Sequence, residues 1–182
     1  MNPDVAGYVF LTTAAAVLIL LELAAGTFGV ILPLAAAVVL YAARTRSRRT
    51  TLILAFVCGA VIDLVYGRTS PVSVPALLLG GLIAVQSHRR EVGAWIDLLL
   101  PVLSGMAGYQ VILLLAAWFR GEPGLMALWR TCGVILWGTG VSLLVFAALD
   151  WICEWLGLTA ILPHRRPGAG RPGRNREPQE RS

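Results

Sequence analysis

Apolar blocks of near membrane-spanning length, set apart by short arginine-bearing stretches, constrain this chain more than any other feature. The blocks read Val5–Ala25, Phe28–Ala43, Thr51–Tyr66, Val72–Gln86, Gly93–Phe119 and Leu125–Leu149, the last running on toward Trp155. A helix needs about 20 residues to cross a hydrocarbon core of about 30 Å. Blocks two to four fall short of that and must borrow flanking residues or sit where the layer is thin. Only 14% of the residues are charged, against about 25% in a soluble domain. Mean hydropathy is +0.75. The expected fold is an all-α integral membrane protein, a polytopic bundle of six transmembrane helices over residues 1–162. A disordered Arg/Pro/Gly-rich tail is expected over 163–182, because proline, glycine and charge oppose burial there. The first block is expected to persist as a helix rather than be cleaved as a signal, since it is long and no basic residue precedes it.

Arginine placement sets the expected orientation. Arg44, Arg46, Arg48 and Arg49 follow block two, Arg89 and Arg90 follow block four, and six more lie in the tail. The alternate loops hold only Arg68, Arg120 and Arg130. Basic residues concentrate on the cytoplasmic side, so both termini are expected in the cytoplasm. A broken or re-entrant first pair of helices would instead put the N-terminus outside. The segregation of the arginines also argues against nucleic-acid binding. Anionic lipid headgroups are the expected partners of the basic loops and tail, with a cytoplasmic docking strip as the sharper alternative for the tail. The tryptophans fit interface belts: Trp118 and Trp129 on one side, Trp95, Trp151 and Trp155 on the other.

Five acids fall in or beside the apolar blocks: Glu22, Asp63, Asp97, Asp150 and Glu154. A charge at the bilayer centre costs roughly 2.5–3.5 kcal/mol, so such a residue is expected to face inward. Asp63 is the deepest. It either pairs with a neighbouring helix or a partner, or bonds the turn backbone at Arg68–Thr69 or pairs with Arg68 itself. Glu22 is expected to pair with Arg120 or Arg130, or to reach the interface. Asp97 and Asp150 are expected to snorkel to water. Asp150 and Glu154 share a face at i, i+4, the one arrangement open to carboxylate catalysis, yet no His, Ser or Lys stands at a useful spacing. Cys58, Cys132 and Cys153 show no ligand spacing and read as small buried hydrophobes. No nucleophile elbow, metalloprotease helix, P-loop or dinucleotide fingerprint is present. No enzyme activity, cofactor or metal is therefore expected. Small residues four apart mark helix seams: Ala76, Gly80 and Ala84; Ser104 and Gly108; Gly138 and Ser142. Pro101 is expected to bend the fifth helix.

Gly59, Asp63, Leu64 and Gly67 together form Gly-x-x-x-Asp-Leu-x-x-Gly, followed by a turn into an apolar helix. This stretch is similar to the rod shape-determining protein family MreD, which carries that signature between its third and fourth helices. The motif covers about 20 residues, and the six-block layout with inner-loop arginines extends the likeness over 1–162. One departure stands out: Ser70 and Pro71 occupy the place where the family usually continues with Leu-Gly, so the turn differs. The resemblance implies a non-enzymatic component of the bacterial inner membrane. It implies a MreC-like single-pass partner and other proteins of the cell-elongation machinery, which links filaments to peptidoglycan synthesis. Gly59, Asp63, Leu64 and Gly67 become a structural or partner-contact motif. The family's likeness to the substrate-binding membrane subunits of energy-coupling-factor vitamin transporters supplies the alternative, a solute-binding subunit.

Overall fold

Six helices appear in the computed structural model, which describes residues 3–30, 32–67, 70–87, 96–119, 121 and 124–158. They are α1 (Pro3–Thr27), α2 (Leu34–Thr45), α3 (Arg48–Val65), α4 (Ser73–Ser87), α5 (Ile96–Phe119) and α6 (Gly124–Trp155). No strand occurs among the described residues. Three segments are long and apolar enough to cross a membrane: Val5–Thr27, Leu98–Phe119 and Leu128–Trp155. The expected tail, 163–182, lies outside the described residues, as do 93–95 at the expected start of the fifth helix.

α2 is the hub. It packs against each of the other five helices, and every residue from Leu34 to Ala43 is buried. A helix apolar all round belongs in a core, and five alanines in this stretch let neighbouring backbones come close. Around it α4 lies broadly against both α3 and α5, and α5 against α6. α1 contributes a narrow stripe of Leu11, Ala15 and Ile19, four residues apart and buried, while Val9, Val17 and Leu20 face outward. In a soluble protein that outer face would be polar; here it is apolar, which is compatible with a membrane-spanning helix.

The second apolar block does not start as a helix. After α1 the chain turns at Gly29, whose φ of +75° favours glycine. It then descends through Leu32 and Pro33 before α2 begins. α2 is consequently only 12 residues long, about 18 Å. α4, at 15 residues, is also too short to span the layer unaided. α1 and α2 are separate, antiparallel helices. Tyr8 near the start of α1 lies beside the chain after α2, with the Arg46 guanidinium 5.1 Å from its ring centroid. At the other end Glu22 meets the start of α2.

All three expected seams lie inside the bundle. Gly80 faces the Gly105 carbonyl of α5, 2.8 Å from where a Cβ would stand. Ser87 and Ser104 bond at 2.9 Å. Gly138 makes room for Met106 and Pro33. α5 continues through Pro101 as one helix. Trp118, Trp129, Trp151 and Trp155 are exposed, as interface residues would be; Trp95 lies outside the described residues.

Candidate functional site: a carboxylate-capped helix junction

The Gly59–Gly67 stretch joins α3 to the start of α4, and each motif residue has a separate mechanical part. Gly59 permits close approach. A Cβ there would lie 2.6 Å from Val74 Cα and 2.8 Å from Val74 N, so any side chain would push α4 away. Asp63, one turn later, uses that closeness. Its carboxylate accepts the Ser73 N–H at 3.1 Å and 3.0 Å on its two oxygens. It also accepts the Val74 N–H at 3.3 Å. Gly67 ends the helix with φ +59°, the left-handed conformation that glycine adopts without strain. Leu64 points the other way and is 79% exposed.

The first turn of a helix leaves donors unpaired, and here they are accounted for one by one. Ser73 and Val74 donate to Asp63. Pro75 has no N–H, which is why proline is tolerated in a first turn. Ala76 donates to the Val72 carbonyl at 3.2 Å. Asp63 is 5% exposed, so these are bonds made away from water. The bond to the neighbouring helix, one of the expected destinations of this carboxylate, is present, while Arg68 and Thr69, which carry the others, lie outside the described residues.

Glu22 behaves alike. Its Oε2 accepts the Ala35 N–H at 2.7 Å, capping α2, rather than pairing with an outer arginine. Arg130 is exposed, and Arg120 lies outside the described residues. An acid inside an apolar block has a nearer need to meet than an arginine, the unbonded amides of a short helix. The signal was present in the Leu and Gly that follow Glu22 at the spacing seen after Asp63.

At the opposite end Asp150 is tied into the bundle while remaining partly exposed. Tyr41 Oη donates to Oδ1 at 2.8 Å, and Arg44 bonds Oδ2 at 3.1 Å, with both charged side chains about a quarter exposed. Tyr41 is fully buried and meets Phe146 edge-on, centroids 5.4 Å apart. This tie fastens α2 to α6. Glu154, one turn on, is exposed. The side chain of Asp97 lies outside the described ones. Cys58 and Cys153 are buried as expected, but Cys132 is exposed. It sits on the outward face of α6, where an apolar thiol is as compatible with lipid as with a core.

A void lined by residues including Arg44, Pro101 and Phe146 holds about 10 Å³, the room of a single water. Among the described residues no group of three or more His, Cys, Asp or Glu comes together. No family model, no curated protein and no solved structure matches the chain.

Proposed function

We propose that this chain is a non-enzymatic, six-span inner-membrane component of the bacterial cell-elongation machinery, with both termini cytoplasmic, that scaffolds a MreC-like single-pass partner. The observation that carries the reading is the junction itself. The motif shared with the MreD family forms one working unit, in which Gly59 and Gly67 bracket a carboxylate committed to seating α4. That is the work of a scaffold element, since the carboxylate holds the first backbone amides of a neighbouring helix. Of the four motif residues, Leu64 offers the outward apolar surface a partner helix would meet. Arg48 and Arg49, exposed at the start of α3, are the inner-loop arginines available to anionic headgroups or filaments. Arg44 and Arg46 are engaged within the protein.

The solute-binding alternative draws less support. Small-molecule pockets run to about 300–1,000 Å³, against the 10 Å³ void beside Arg44.

The test is depletion in a rod-shaped host together with co-purification of the MreC-like protein. Rounded cells and recovery of the partner are expected. Leu64→Ala should lower partner recovery while leaving the melting temperature unchanged, and Asp63→Ala should lower both. Normal cell shape with no partner recovered would overturn the proposal.

A further inference from the structure

The acid junction occurs twice. Glu22-Leu23-Ala24-Ala25-Gly26 and Asp63-Leu64-Val65-Tyr66-Gly67 share an acid, a leucine next to it and a glycine four residues on. Both stretches lie late in a helix, and both helices end on the same side of the bundle. Gly26 of α1 faces Tyr66 after α3, with the hydroxyl 3.1 Å from where a Cβ would stand. Each acid is followed by a return into the bundle and a short helix whose first-turn amide it binds, 13 residues on in one case and 10 in the other.

The differences between the two stretches offset one another. α1 runs on to a left-handed Gly29, seven residues past its acid, whereas α3 ends at Gly67, four past its own. The longer overrun matches the longer return. The position equivalent to Gly59 is Leu18, a large side chain where the other stretch has none. Glu22 supplies one more methylene than Asp63. A small residue with a short acid, and a large residue with a long one, reach the same bond.

We infer that α1–α2 and α3–α4 are two copies of one carboxylate-latched hairpin, and that Glu22 is the second latch, a positioning residue that seats the central helix α2. This goes beyond the scaffold reading and does not depend on it, because it stands on the hydrogen bonds alone.

Side-chain reach separates a latch from a merely polar position. Glu22→Gln keeps both length and an acceptor oxygen. Glu22→Asp keeps the charge and falls one methylene short. Hydrogen exchange of the full chain purified in detergent reads the outcome at residues 34–37, with residues 73–76 as the internal reference. Glu22→Gln should exchange there as wild type does. Glu22→Asp should exchange roughly fivefold faster, the size expected for losing one hydrogen bond, with 73–76 unchanged. Asp63→Ala should show the reverse pattern. If Glu22→Asp fails to accumulate while Glu22→Gln reaches wild-type yield, the reach argument is supported by the same contrast. Equal exchange in all three chains, or loss of Glu22→Gln together with Glu22→Asp, would overturn the second latch. No partner enters this measurement, so its result stands apart from that of the co-purification.

Discussion

Replacing Gly59 by alanine probes the α3–α4 junction at its tightest point. The new Cβ would sit 2.6 Å from Val74 Cα and 2.8 Å from its nitrogen. Both are backbone atoms, so no side-chain rotation relieves the overlap. Ordinary contact begins near 3.4 Å, and the first turn of α4 must therefore retreat by roughly 0.8 Å. The Ser73 N–H bond to Asp63, 3.0 Å long, then stretches toward roughly 3.8 Å, beyond useful hydrogen-bond length. Overpacking costs about 1–3 kcal/mol, and a lost cap costs about 0.5–2 kcal/mol. Alanine returns up to about 1 kcal/mol of helix propensity. A net destabilisation of about 2–3 kcal/mol is expected. The assay is unfolding in detergent by SDS titration, followed by tryptophan fluorescence, with Gly140→Ala as the control. Gly140 also lies within a helix, but a Cβ there meets nothing within 4 Å, so its substitution should be neutral or slightly stabilising. Equal midpoints for the two variants would refute the close-approach argument.

Three further outcomes are expected. Gly67→Ala should cost about 1–2 kcal/mol from the left-handed backbone alone, because nothing lies within 4 Å of its Cβ position; the same SDS titration measures it. Asp150→Ala should destabilise by about 1–3 kcal/mol by stranding Tyr41 and Arg44, toward the low end because the ion pair is partly exposed. Tyr41→Phe in the same titration should lose about 1 kcal/mol. A membrane-permeant maleimide should label the exposed Cys132 in the folded protein and reach the buried Cys58 and Cys153 only after SDS denaturation, which mass spectrometry reads site by site.

The helical architecture was legible because the apolar blocks are long and the breaks between them carry glycine, proline or arginine. The true start of α2 was not. Phe28, Val30 and Leu32 are as apolar as the helix that follows, and hydropathy cannot separate apolar coil from apolar helix. What separates them is the left-handed turn at Gly29 and the fixed backbone of Pro33. Asp63 was legible as an inward-facing acid, but its destination was not. Its bond to Ser73 depends on the side chain that Gly59 lacks, a fact of three-dimensional approach. The i, i+4 spacing of Asp150 and Glu154 correctly places both toward one side of a helix. It says nothing of Tyr41 and Arg44, which reach Asp150 from a helix more than 100 residues earlier in the chain and leave Glu154 outside. Cys132 shows a limit peculiar to membranes. Lipid-facing and core-facing positions are both apolar, so composition alone does not tell which way a side chain points.

The two short helices explain why this chain keeps acids inside apolar blocks at all. A helix that spans the layer ends at its polar borders, where water or headgroups satisfy the terminal amides. One that starts within the bundle leaves amides in a region without water, and each unsatisfied group there costs several kcal/mol. α4 begins with Ser73 buried, and α2 with Leu34 buried, so neither start has solvent to turn to. A carboxylate is suited to such a place: it accepts several N–H bonds at once and complements the positive end of the helix dipole. The cost of burying the acid and the cost of burying the helix start thus offset each other. Either alone would be a liability, which is why Glu22 and Asp63 each occur with a short helix following. On the proposed function the acid serves the architecture and the exposed Leu64 the partner, so mutation should separate the two.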